Sequence, residues 1–284
     1  MNNKNTVPMK PALLRIEQLR PFEGHPYKVQ DNEEMAALSE SIRENGVLSP
    51  LIVRSVENSD EYEVISGHRR LYAARKAGLT EVPVLICTLD RDAAAIALVD
   101  SNLHREHILP SEKAYAYKLK MEALSHQGIA CGQVGHKSRD DISDTDSGRQ
   151  VQRYIRLTYL IPELLEKMDK EEIAFSVGVE LSYLDEYSQR DVLEQCEIND
   201  CTPSYSQAWR MHKADREGLL TKDVIQFLMS EEKANQRETV KVPASRLREV
   251  LPKGLDAGKT EDFIIKACEH YRKYLIRQRG REER

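Results

Sequence analysis

An α+β protein is expected from this 284-residue chain. It should hold a small mixed α/β domain, then an all-α region, then one closing helix. Two observations carry that expectation. Strand-type runs alternate with helical repeats as far as residue 92, and beyond it every periodic segment has helical spacing. Charged residues make up 31% and aromatics 6%, a composition that suits a soluble helix-rich protein. The length allows about two domains with a sizeable core.

Residues 1–11 are polar and lack an apolar signal core, so they read as a disordered leader. Leu13–Leu19 (LLRIEQL) reads as a short strand turning into Pro21. Asp31 and Glu34 have capping-box spacing, and Met35, Leu38 and Ile42 recur at helical spacing until Gly46. Leu51-Ile52-Val53 is an apolar strand, and Tyr62, Val64 and Ile65 supply the next. Gly67 permits a sharp turn. A helix opens there with His68, Arg69 and Arg70, Gly78 stops it, and Val82–Ile86 returns as a strand. The order β-α-β-β-α-β over Leu13–Leu89 describes a domain at 12–92. Beyond it Ala93–Val99 reads as a helix broken near Asp100-Ser101-Asn102, and Ser111 caps a helix running through Leu124. Gly128–Gly148 is polar and rich in turn formers. Helices over Ser147–Leu157, Pro162–Lys170, Glu171–Leu184, Ser188–Cys196, Ser204–Glu217 and Thr221–Lys233 complete an all-α region at 93–235. Segment 236–284 holds a linker at Gln236–Val242 and a helix over Thr260–Arg279. Ile264, Ala267, Cys268, Tyr271 and Leu275 line one side of that helix, and its end is basic.

The net charge of −5 argues against a protein coated in basic surface, so any nucleic-acid contact must be local. Five scattered cysteines (Cys87, Cys131, Cys196, Cys201, Cys268) and no signal peptide fit a reducing cytoplasm. Cys196, Cys201 and His212 match no zinc spacing, and the cysteines read as buried or idle thiols. No apolar run is long enough for a transmembrane helix.

Two segments carry chemistry. The first is Tyr62–Ile86, YEVISGHRRLYAARKAGLTEVPVLI. Cations at a helix start oppose the helix dipole, so an anion is expected there. Free N–H groups and the guanidiniums of Arg69 and Arg70 suit phosphate. The alternative is an exposed basic helix end paired with nearby acids. The second is SGRQVQRYIRL, Ser147–Leu157. Val151, Tyr154 and Ile155 share one face. Ser147, Arg149, Gln150, Gln152, Arg153 and Arg156 lie off that face, with no carboxylate among them. Arginine reads guanine and glutamine reads adenine in the major groove, so this segment suits a recognition helix. A solvated amphipathic helix fits the same pattern.

Taken in order, these segments resemble the ParB/Spo0J family of chromosome and plasmid partition proteins. The resemblance is carried by SIRENGVLSPLIVR, VISGHRRLYAARKAGLTEVPVLI, ALVDSNLHREHILPSEKAYAYKLK and RQVQRYIRLTYLIPELLEKMDKEEIAFSVGVELSYL. It covers well over half the chain and looks most like plasmid and integrative-element variants. The resemblance implies a ParB/sulfiredoxin-like nucleotide-binding domain that takes CTP with Mg²⁺. It implies a helix-turn-helix that binds a palindromic, centromere-like duplex site as a homodimer. It further implies a C-terminal dimerising segment and a ParA-type ATPase partner, in a cytoplasmic, nucleoid- or plasmid-associated protein without a membrane partner. Gly67, His68, Arg69 and Arg70 then correspond to the phosphate loop, Asn102 to the metal-side asparagine, Arg105 to a phosphate-facing arginine and Pro26 to a nucleobase-side proline.

This sequence departs from the family pattern at three places. His68 and Ser101 stand where many members have glutamate, and magnesium prefers hard oxygen ligands, so nucleotide binding with slow or absent CTP hydrolysis is expected. The positioning helix of the helix-turn-helix falls on the short, acidic Ser138–Thr145. His104 and His107 read as part of a solvated helix start. Two other readings share the fold: a ParB-like nuclease, which needs a carboxylate cluster for metal, and a nucleotide-independent DNA-binding regulator or adaptor whose CTP site is spent. A sulfiredoxin-like enzyme would need a reactive cysteine beside the phosphate loop, and Cys87 sits instead in an apolar strand.

Overall fold

The computed structural model describes residues 8–105, 107–126, 142–143, 146–231, 250–252 and 259–282. Residues 1–7 of the leader expected at 1–11, most of the acidic segment assigned to the positioning helix and the linker at 236–242 lie outside them. The chain divides into two compact units, Met1–Glu231 and Glu232–Arg284.

The first unit opens on a mixed five-stranded sheet. Its strands are β1 (Met9–Arg15), β2 (Leu19–Pro21), β3 (Leu51–Ser55), β4 (Tyr62–Ser66) and β5 (Glu81–Cys87), in the order β1-β5-β3-β4-β2. β1 runs antiparallel to β5 with Leu13 opposite Pro83, and β2 runs parallel to β4 with Leu19 opposite Tyr62. The single strand expected at Leu13–Leu19 is therefore two strands on opposite edges. A 3₁₀ turn at Ile16–Gln18 separates them, held by the Arg15 N–H on Gln18 Oε1 (3.2 Å) and the Ile16 N–H on the Thr80 carbonyl (2.9 Å). The alternation of Leu13–Leu19 cannot show this, because a 3₁₀ turn burying one Ile imitates an inward strand residue. Met9–Pro11, placed in the leader by sequence, are part of β1.

Helices α1 (Glu33–Asn45) and α2 (His68–Ala77) cover one face, where Met35, Ile42, Leu71, Ala73 and Ala74 bury against Leu51, Val53, Val64 and Val84. Asn32 caps α1, accepting from the Met35 N–H at 3.1 Å; Asp31, the expected cap, pairs with Lys76 instead. The other face is covered by α3 (Arg91–Asn102), whose Ala94, Ala95, Leu98 and Val99 pack on Phe22, Ile65 and Cys87. α3 thus belongs with the sheet, and it runs unbroken through Asp100-Ser101-Asn102. Ser101 tolerates the helix because its hydroxyl donates back to the Leu98 carbonyl at 2.9 Å.

The helical region begins with α4 (Pro110–His126), followed by α5 (Gly148–Arg156), α6 (Pro162–Asp169), α7 (Phe175–Leu181), α8 (Glu186–Ile198), α9 (Tyr205–Arg216) and α10 (Lys222–Ser230). Ser111 lies inside α4 and does not cap it: its N–H and hydroxyl both donate to Asp169 at the end of α6. The helix expected over Glu171–Leu184 is confined to α7, because Glu171 adopts φ 62 and breaks the chain there. Leu157, Leu164, Leu181, Val192, Met211 and Ile225 form the main helical core.

The second unit holds α11 (Thr260–Glu282). Of its apolar row, Ile264 is half-buried, while Ala267, Cys268, Tyr271 and Leu275 are exposed. Among the described residues no helix is long and apolar enough to cross a membrane.

Candidate functional site

The phosphate-type turn forms where strand, glycine and helix meet. Gly67 takes φ 104 between β4 and α2, a conformation that side chains other than glycine rarely adopt. A Cβ there would also sit 3.0 Å from Leu51 and 3.2 Å from the Arg70 guanidinium. The first turn of α2 contains no acidic residue, so nothing within that turn offsets the positive end of the helix dipole.

The residues expected at this turn are only partly brought together. His68 lies under the His25 ring, centroid to centroid at 3.6 Å. Its buried Nε2 has no hydrogen-bond partner among the described residues. Burial, then the neighbouring His25 and Arg105, hold the His68 imidazole down to about 3, so it is neutral. His25 is likewise held to about 4 by burial. Arg105 stacks over Tyr27 at 5.3 Å, and its charge reaches both histidines. Pro26 is buried between His25 and Tyr27, and Tyr27 reaches the Val99 carbonyl at 3.5 Å. Arg69 forms an ion pair with Glu34 at 3.0 Å, both side chains largely exposed. Such a pair contributes about 0–1 kcal/mol, so a phosphate can displace it at little cost.

Arg70 departs from the expectation. Its guanidinium folds back beneath Gly67 and donates to the carbonyls of Ser49 and Pro50, the latter at 2.8 Å. Arg70 therefore braces the turn against the start of β3, where partial burial lowers its pKa. Asn102 is buried at the end of α3, and its amide donates to the Leu98 carbonyl at 2.7 Å. Its carbonyl oxygen alone has the hardness magnesium prefers. With imidazole at residue 68 and hydroxyl at residue 101, the donor set does not suit Mg²⁺. Among the described residues no group of three or more His, Cys, Asp or Glu is placed to hold a metal.

Beside the turn a cleft of about 820 Å³ opens between the sheet domain and the helices, with Arg69 and Arg105 on its wall. Glu34, Glu112, Asp169 and Glu171 line it as well. Glu112 accepts from the Lys28 N–H (2.8 Å) and the Leu109 N–H (3.2 Å), and Asp169 holds the Lys28 ammonium at 3.0 Å. Sequence reading missed His25, Tyr27, Glu34 and Glu112. The available signal was Gly24, which adopts φ 77 and turns FEGHPYK back over α2.

α5 keeps its expected faces. Val151 and Ile155 are buried against Tyr117 and Ile142, with Tyr154 packed at the edge. Ser147 caps the helix by accepting from the Gln150 N–H at 3.3 Å, so its hydroxyl is occupied by the backbone. Lys113 and Tyr117 of α4 hold Asp146, each at 2.6 Å, and fix the entry to that cap. Arg149 is exposed; Gln152 faces Met121. Arg153 bonds Gln150 at 3.2 Å and lies over Phe175. Arg156 departs from the expectation of a base-reading side chain. It donates to the Ser182 carbonyl at 2.8 Å and lies over Tyr159 and Tyr183, with its Nε buried. It packs the end of α5 onto the segment after α7.

Residues 2–103 match the model of the ParB N-terminal domain. Over that stretch the chain is similar to a ParB N-terminal domain, and it is similar to ParB and Spo0J partition proteins. It is 38% identical over 165 residues to a probable chromosome 1-partitioning protein ParB of Deinococcus radiodurans, covering 57% of this chain and 52% of that one. It is also 38% identical over 161 residues to the chromosome-partitioning protein Spo0J of Thermus thermophilus, covering 56% and 55%. The match thus spans about half the length of these curated relatives. A C-terminally truncated chromosome-partitioning protein ParB from Caulobacter crescentus, solved with CTP-gamma-S, shares 28% identity over 62% of this chain and 93% of that one. Its TM-score of 0.32 is too low to bear on the arrangement here. The ParB N-terminal domain match takes in α3, in keeping with that helix covering the sheet.

Proposed function

We propose that this ParB relative is a partition protein that binds a centromere-like duplex DNA site through α5. We further propose that it binds CTP at the first turn of α2 and acts with a ParA-type ATPase as a homodimer paired through α11. The observation that carries the nucleotide half is the helix start at Gly67–His68, with no acidic residue in its first turn, beside a cleft lined by both Arg69 and Arg105. Fixed N–H dipoles and mobile guanidiniums suit a polyphosphate. The DNA half is supported by α5, which buries Val151 and Ile155 and leaves Arg149 exposed, and by the partition proteins among its relatives. The plasmid type follows only from the sequence resemblance.

CTP binding in this scheme relies on the chain's own cations and not on a magnesium cage, and turnover is slow or absent. Thermal shift tests it: CTP at 100 times its Kd stabilises by about 2.7 kcal/mol. No shift, with or without Mg²⁺, would favour the second reading, a DNA-binding adaptor with a spent site. The Arg69–Glu34 pair and the turned-in Arg70 are what favour that reading. Metal-dependent nicking of DNA would point to the nuclease. Selection of bound duplexes from a randomised library tests the DNA half. Arg153→Ala should weaken the selected site by about 1–3 kcal/mol if Arg153 leaves Gln150 for a base. A library that returns no sequence preference would refute α5 as a reader.

A further inference from the structure

α5 presents Arg149, Arg153 and Arg156 in one row, spaced i, i+4 and i+7. Arg156 ends that row between two tyrosine rings, 4.5 Å from Tyr159 and 4.2 Å from Tyr183. Tyr183 stacks in turn on His212 of α9, centroids 4.2 Å apart and planes within 1°. His212 is anchored by Glu180 at 2.7 Å. One helical turn to either side, Trp209 lies under the Lys213 ammonium at 5.8 Å, and Arg216 follows. Trp209, His212, Lys213 and Arg216 border a hollow of about 350 Å³ with Glu217, whose carboxylate lies 3.9 Å from the Lys213 ammonium in an exposed pair that a phosphate can replace. Trp209 is 47% and Tyr183 45% exposed. A ladder of direct contacts therefore carries the basic row of α5 onto the outer face of α9.

The core does not require this face to be basic and aromatic. α9 anchors itself through Gln207, Ala208 and Met211 on its other side. On a chain of net charge −5, cations beside flat rings make a local attractive patch. Their chemistry suits the sugar-phosphate backbone, where cations position a duplex without reading it.

We propose that the Trp209–Arg216 face of α9 is a second DNA contact, gripping duplex backbone that flanks the segment under α5. The inference rests on α5 binding DNA, and the two are separable by experiment. Because backbone contacts ignore sequence, the probe is a 40-base-pair duplex of arbitrary sequence, followed by fluorescence anisotropy across a salt series. Each lost phosphate contact lowers the salt slope by about 0.9. Lys213→Gln with Arg216→Gln should therefore lower the slope by about 1.8 and weaken binding by about tenfold or more near 100 mM salt. Glutamine keeps the helix and much of each stem, and an unchanged melting temperature verifies the fold. Arg43→Gln with Lys76→Gln removes the same charge from the sheet domain and should leave the slope unchanged. Equal loss from both double variants, or no loss from the α9 pair while the parent protein binds, overturns the inference alone and leaves α9 for another partner such as an acidic protein. Failure of the parent protein to bind duplex DNA at low salt overturns the inference together with the reading of α5.

Discussion

His68 is the residue at which the chemistry of the site is decided. Glutamate at this position would repel phosphate and attract magnesium; imidazole does neither. Its burial has a consequence for stability. The folded pKa values of His68 and His25 fall to about 3 and about 4, from the ordinary 6.5. Between those values and 6.5 the unfolded chain holds the extra protons, so stability is fully present above about pH 6.5 and declines as pH falls toward 3. His68→Gln should flatten that decline in urea unfolding followed from pH 7.5 to 5; an unaltered pH profile would show that the imidazole is not buried neutral. A second residue tests the sheet. Glu63 is buried and holds Arg54 through Nε at 2.8 Å and Nη2 at 2.6 Å, with Arg20 at 3.1 Å. Glu63→Ala strands a largely buried guanidinium and should cost about 3–5 kcal/mol, measured by urea unfolding at pH 7.

At the scale of elements, α5 depends on its start. Ser147 satisfies a backbone donor of its first turn, so Ser147→Ala should cost about 1 kcal/mol in the same measurement. The faces of α5 were legible because nine residues carry an unmistakable apolar spacing at Val151, Tyr154 and Ile155. The fates of its arginines were not, since Arg156 is consumed by Tyr159, Tyr183 and Ser182, partners that only the chain's later course supplies. The same limit applied at α2. Gly67 and Gly78 mark its ends in the sequence, yet nothing local says that Arg70 folds under the turn to Ser49 and Pro50. His25 was hidden for the same reason, lying 43 positions before the ring it covers. Sequence reading also placed one strand at Leu13–Leu19, where a buried Ile16 within a 3₁₀ turn copies strand alternation. It broke α3 near Asp100-Ser101-Asn102, where Ser101 and Asn102 bond back to their own helix and Asp100 takes the Lys120 ammonium.

For the whole molecule, the α+β order was readable because strand and helix periods occupy separate stretches of the chain. How the sheet domain meets the helices was not, because it depends on Glu112 and Asp169 reaching back to Lys28 across 84 and 141 positions. These contacts frame the cleft that holds Arg69 and Arg105. The proposed protein is thus a DNA binder whose nucleotide pocket lies where the sheet domain meets the helices and grips phosphate through Arg69, Arg105 and the start of α2. Calorimetric titration of CTP into the full chain in EDTA, repeated with Mg²⁺, tests that account most directly. Saturable binding in EDTA that Mg²⁺ does not strengthen, and that Arg105→Ala abolishes, is the predicted result. Binding that appears only with Mg²⁺, or no binding under either condition, would contradict it.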